Sequence, residues 1–257
     1  MPWPADDEGL AFAEGRVIDP LDSVIPSGVD VRITLVAGDL TQAIGATCAE
    51  IFAMADADAG APIVVKPLPV LPASVFTSGK SLLLVPMGCA GGSTHTDPLE
   101  TLACGSTYSQ ATPNVTLAAL GMSHDTDPSH VGLQVVHAAP GMPAQDFRIT
   151  PGFDAAIESK VVNGLTMGAL GPTPPFFGLS SLDVGAAAQA KISTYFPNDS
   201  FATSATLLSS IFATSKIGAA DLDDGETFVL VALGAYPGIP AGAWWHALTY
   251  ALVRANP

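Results

Sequence analysis

The sequence predicts an all-β protein, built as two tandem Greek-key β-sandwich domains with an extended N-terminal arm. Three observations lead there. The 257 residues hold 25 glycines and 22 prolines in no regular period, so apolar runs stay short and turns are frequent. Hydrophobic residues reach 48% and charged ones only 13%, the balance of a packed core and not of a disordered chain. One strand-and-turn pattern also occurs twice, SGKSLLLVPMGCAGG at 78–92 and DGETFVLVALGAYPG at 224–238, and such self-similarity outranks local propensity.

Residues 1–28, rich in Pro and Asp, read as an extended arm. From Val29, VDVRITLVAGDL alternates and then runs apolar into a Gly-Asp turn, which is a strand signal. TQAIGATCAEIFAMADADAG suits either a short helix or a second strand carrying Cys48. APIVVKPLPVLPASVF is cut by four prolines and fits only an edge strand or extended coil. In the repeats, Leu82–Val85 and Phe228–Leu233 have the content of central strands, each approached through a tight Gly-charged turn. A loop and one more strand follow each repeat, TPNVTLAALGM in the first half and WWHALTYALV in the second. VRITLVAG and GLQVVHAAPG open the two halves in the same manner. Domains are therefore expected at 29–122 and 131–257, joined by the polar linker SHDTDPSH. The second carries extra segments, among them AKISTYFPNDSFATSATLLSSIF, which alternates at Ile192, Thr194 and Phe196 before a stretch suited to a helical turn.

Nine basic residues against 24 acidic ones give a formal net charge of −15, which repels nucleic acid and anionic lipid surfaces. The acids keep an apolar protein dispersed, with weak capture of Ca²⁺ as the sharper reading. The opening MPWPADDEGLAF has neither the basic region nor the apolar stretch of a signal peptide, so the chain is expected either to be cytosolic or to begin after processing. No apolar run is long enough for a membrane-spanning helix, so no membrane insertion is expected.

Cys89 and Cys104 each sit beside a glycine, on either side of a polar loop. They read as a disulfide worth about 3 kcal/mol in the chain-entropy model. Zinc binding with His95 is the weaker alternative, since no close C-x-x-C pair exists. Cys48 has no evident partner and reads as a small core residue. A bridge implies an oxidising compartment and favours export, to a secreted or cell-surface location.

LQVVHAAPGMPAQDFRI resembles the signature of a family of exported bacterial β-domains catalogued as a domain of unknown function. That signature is a strand followed by His-Ala-Ser-Pro-Asp-Ala-Pro-x-Val-Asp. His137, Ala138, Pro140, Pro143 and Asp146 match it, while Ala139, Gly141, Met142 and Gln145 depart. Gly225 through Gly234 is similar to a strand near the family's C-terminus. The resemblance implies immunoglobulin-like or transthyretin-like sandwiches, often in tandem on secreted or surface-anchored proteins, and implies no catalytic residues. The first half lacks the signature, having no histidine and no paired prolines in LVAGDLTQAIGATC.

His137 and Asp146 have the residue types of an acid–base pair, but a structural corner is the simpler reading. Pro140 and Pro143 fix φ and withhold backbone donors, so neighbouring side chains must organise the loop's remaining polar groups. His95, Asp97, His124, Asp125, Asp127 and His130 form a second candidate group, in two loops, whose chemistry would suit Zn²⁺. Turn formation explains the same residues without a metal. DLDDGE at 221–226 lacks the alternating ligands of a calcium loop and reads as an acidic turn. Trp244 and Trp245, beside His246, are expected in a strand, one ring inward and the other free to stack on a sugar or partner. NVT and NDS are formal glycosylation sequons, and neither a nucleophile elbow nor a phosphate-binding glycine loop occurs.

The expected function is that of a non-enzymatic extracellular or cell-surface structural or adhesion protein, self-associating as a fibre or surface-layer subunit. No cofactor and no nucleic-acid partner are expected. The alternatives are a secreted carbohydrate- or calcium-binding module and, behind it, a metal-dependent hydrolase.

Overall fold

The computed structural model describes residues 13, 15, 28–38, 45–56, 63–76, 81–91, 97–125, 127–151, 158–179, 190–215, 217–242 and 245–255. Within them the structure is β-rich, with few helices and no closed barrel. The first half contributes β1 (Thr34–Gly38), α1 (Cys48–Asp56), β2 (Ile63–Pro67), β3 (Leu82–Met87), α2 (Glu100–Cys104) and β4 (Thr116–Gly121). The second contributes β5 (Val131–His137), β6 (Gln145–Thr150), β7 (Ser159–Leu165), β8 (Leu170–Leu179), β9 (Lys191–Tyr195), β10 (Ala202–Leu207), α3 (Leu208–Ser215), β11 (Thr227–Leu233) and β12 (Thr249–Arg254).

The segment open to two readings is the helix α1. Its start is a capping box: Thr47 N–H donates to Glu50 Oε2 at 2.7 Å, and Glu50 N–H lies 3.4 Å from Thr47 Oγ1. Cys48 opens this helix half-buried, so the expected core role is corrected to a partly exposed helix terminus.

Two four-stranded sheets make the second half, ordered β12-β11-β5-β8 and β10-β9-β6-β7. Among the described residues only the β5–β11 pairing of these sheets is parallel. Leu133 and Val135 of β5, Phe147 and Ile149 of β6, Ile192 of β9, and Phe228 and Leu230 of β11 meet in one core between the sheets. Among the described strands β8 lies at a sheet edge, where Pro172, Pro174 and Pro175 are tolerated because no second described strand needs their missing donors. The other edge strand of this sheet, β12, is tied by α3, since Leu252 N–H donates to Ser215 Oγ at 2.7 Å.

β11 reads TFVLVAL without alternation because both its faces are covered. Phe228, Leu230 and Ala232 enter the core just described, while Val229 and Val231 turn to a second core with Val85, Met87 and Ala118 of the β3–β4 ribbon. Full burial of a valine is worth about 1.5–3 kcal/mol, and an isolated two-stranded ribbon is marginal in water. The ribbon therefore depends on the second half's sheet. Among the described residues β1 pairs only with β2, and β3 only with β4, so the described strands of 29–122 form two ribbons. The segment 123–130 is fastened to the second half: Ser123 N–H donates to Gln134 Oε1 at 3.0 Å, and Thr227 Oγ1 donates to Asp125 O at 2.7 Å.

Candidate functional site

After His137 the chain leaves one sheet, crosses residues 138–144, and begins the other sheet at Gln145. His137 is fully buried at this crossing. Its Nε2 lies 3.1 Å from both Met142 O and Pro143 O, and its Nδ1 accepts the Ala139 N–H at 3.3 Å. That pattern requires a neutral ring with the proton on Nε2. Burial holds its pKa below the ordinary histidine value, against the opposing pull of the Pro143 and Met142 carbonyls. The ring also meets Phe147 edge-on, with centroids 6.3 Å apart.

Asp146, buried as well, points elsewhere. Its Oδ1 accepts the Gly164 N–H of β7 at 2.7 Å, and its Oδ2 lies 3.9 Å from Arg148 Nη2. Among the described residues no hydrogen bond joins His137 to Asp146, and each organises backbone. Pro143 contributes a carbonyl that also accepts from Gln145 Nε2 at 3.3 Å. Pro140 and Gly141 meet α2 backbone to backbone. A Cβ on Gly141 would strike the Leu102 carbonyl, and one on Gly105 would stand 2.6 Å from Pro140 O. The corner is thus also the seat of α2.

Cys104, at the end of α2, is bonded to Cys89 with a Cα–Cα distance of 5.6 Å. The bridge is buried with Ala103, Tyr108, Ala235 and Trp245 in a small core shared by both halves. Asn114 clamps it: Oδ1 accepts Cys89 N–H at 2.8 Å, and Nδ2 donates to Cys104 O at 2.8 Å and Thr107 Oγ1 at 3.1 Å. The sequence marks Asn114 only as part of a sequon, so this role went unread. Beside it, burial and then the Glu100 carboxylate push the Tyr108 phenol well above its usual pKa.

The other candidates fall apart into local turns. His95 lies outside the described residues. Asp97 Oδ1 accepts Leu99 N–H at 2.8 Å, Asp125 Oδ2 accepts Ser123 Oγ at 2.8 Å, and Asp127 Oδ2 lies 3.1 Å from His130 Nδ1. The Ser129 N–H and then His130 lower the Asp127 pKa. Among the described residues His124 has no such partner, and no cluster of three potential metal ligands occurs. In DLDDGE, Asp221 Oδ2 accepts Gly218 N–H at 2.6 Å and Glu226 pairs with Arg254 at 3.3 Å. Trp244 lies outside the described residues. Trp245 and the exposed His246 precede β12, and Trp245 is buried with Nε1 donating to Pro240 O at 3.0 Å. The expected strand position of these residues is corrected to a loop, because β12 starts only at Thr249.

Two features escaped the sequence reading. Arg148 lies 3.8 Å over the Tyr195 ring while Nη1 donates to Glu158 Oε2 at 3.0 Å, a knot assembled from distant segments. At the β9–β10 tip, Phe196 stacks on Tyr236 with centroids 6.2 Å apart, and Phe201 is 79% exposed. Inside the second half, an apolar gap of about 30 Å³ touches Leu133, Ile149, Phe212 and Phe228, and no polar side chain lines it. No helix of the described residues is long and apolar enough to cross a membrane. No family model, curated protein or solved structure matches the chain.

Proposed function

We propose that this chain is a non-catalytic structural or adhesive protein of the cell exterior, working by self-association or by holding a protein partner. The observation that carries the reading is the engagement of His137 and Asp146: both are buried, and their ring nitrogens and Oδ1 are satisfied by backbone. A general acid or base needs a reachable reacting proton, and these two face peptide groups. The buried Cys89–Cys104 bridge supports an oxidising compartment, hence export. Tandem Greek-key domains of the family resembled at 137–146 belong to the same proposal. Where that pattern has Asp, Gly141 leaves room for α2, which is a physical reason for the departure.

Sedimentation of the intact chain over a wide concentration range, with and without Ca²⁺, tests it. Concentration-dependent oligomers or fibres support the proposal. A monomer at every concentration that also binds no surface or protein partner overturns it. A second reading, a module for neutral glycans, is favoured by the stacked Phe196–Tyr236 pair and by exposed Phe201, which precedes β10. Calorimetric titration with neutral oligosaccharides separates the two.

A further inference from the structure

We propose that the β5–β6 corner is an acid-opened joint, in which a second proton on His137 breaks the corner and frees α2, still tethered through its disulfide, from the second half. The argument starts from the ring's two nitrogens. Nε2 already faces two carbonyls, and Nδ1 already accepts the Ala139 N–H. A proton arriving at Nδ1 sets two donors against each other and buries a cation. The ring therefore gains its second proton only by leaving its seat.

Among the described residues no carboxylate bonds the ring. From β6 the charged groups are Asp146 and Arg148; the first bonds Gly164 N–H and the second bonds Glu158. From α2 the charged group is Glu100, whose Oε2 accepts from Gln110 Nε2 at 3.3 Å. β11 carries no charged residue, and neither does the β7–β8 turn, which clasps the His137 backbone through Gly168 N–H and Ala169 O. Among these groups, no carboxylate is bonded to the ring.

The reach of the event follows from what rests on the loop. Met142 O and Pro143 O are fixed by Nε2, and the Pro140–Gly141 backbone between them and His137 is what α2 touches at Leu102, Ala103 and Gly105. Opening the loop removes the floor under α2. The sign is set by burial, which keeps the closed ring's pKa below the ordinary 6.5. The corner is fully held above that ordinary value. Below it the open form gains the proton, and opening grows about tenfold per pH unit until the closed ring's own depressed value is reached.

Hydrogen exchange on the intact, oxidised chain between pH 7 and pH 4, corrected for intrinsic rates, tests this. The amides of Ala139, Met142, Ala103 and Gly105 are expected to open about tenfold more per unit below the ordinary imidazole value, while those of Ile192 and Leu230 hold. His137→Gln, neutral throughout, is expected to flatten the dependence. Should that variant not fold, the imidazole resonances of the wild-type chain decide. The proposal expects an Nε2–H tautomer at pH 7 and no ring titration while the corner amides stay protected. Titration at or above the free value with a closed corner overturns it. So does an unchanged slope in folded His137→Gln, or the simultaneous opening of corner and reference amides.

Discussion

The hairpins β3–β4 and β11–β12 come from the same sequence pattern and end in different company. Both first strands leave through a glycine with left-handed φ, 84° at Gly88 and 93° at Gly234. At each, a Cβ would strike a carbonyl of the returning chain, Asn114 O in the first hairpin and Ala247 O in the second. The two hairpins then face each other across one core. The difference lies on the far side. β11 has β5 as a parallel neighbour, whereas β3 has none among the described strands.

One residue in the repeat coincides with the contrast. Aligned on the terminal glycines, Pro86 of β3 stands where β11 has Ala232. Ala138 N–H donates to Ala232 O at 2.8 Å, and the parallel ladder turns the Ala232 N–H to β5 as well. In β3 the bonds at Ser81 and Cys89 fix the alternation, so that position 86 faces away from β4. A proline there has no donor to offer an added strand. The same sequence pattern thus stands as an interior strand in one half and as an edge among the described strands in the other, and the two differ in this N–H.

Exchanging that feature gives the largest expected effect. Ala232→Pro removes a ladder bond inside a fully buried sheet and presses a ring toward β5, costing more than about 4 kcal/mol. Urea denaturation should show a second half that no longer unfolds cooperatively; a native-like midpoint would end the account of β11 as an interior strand. Next comes the feature peculiar to the first hairpin, its bridge. Cys89→Ala with Cys104→Ala should lower stability by about 2–5 kcal/mol, read from the same denaturation curves. No loss would mean that Asn114 and the shared core already hold the loop. Third, Gly141→Asp places a side chain against the Leu102 carbonyl and should cost about 1–3 kcal/mol. Heightened exchange in α2 should accompany the loss, and unchanged α2 protection would detach α2 from the corner.

These contrasts show what the sequence discloses and what it withholds. Strands are legible where apolar content and a closing glycine coincide, as in Phe228–Leu233, which the structure extends by Thr227. The helix at Cys48–Asp56 was also legible in principle, since Thr47-x-x-Glu50 is a capping pattern. Polar demand at the corner is legible from Pro140 and Pro143, which withhold two donors. The Arg148 knot is not, because Glu158, Tyr195 and Asp199 approach it only once β6 and β9 pair. Nor is the core shared across the halves. An apolar residue states that it will be buried, but not which body will bury it, and Val85 and Val229 look alike in sequence.

The smallest effect on stability is expected from Pro86→Ala, and it tests the comparison most sharply. Position 86 is exposed and bonds no strand, so unfolding should shift by less than about 0.5 kcal/mol. The substitution nevertheless gives β3 the donor that Ala232 supplies to β11, on an edge where Leu82 and Leu84 already present their N–H groups by the same alternation. Sedimentation should then show more association than in the wild-type chain at equal concentration, because an edge without its proline accepts another strand. An unaltered sedimentation profile would mean that this edge is already covered, and that Pro86 is not what separates the two hairpins.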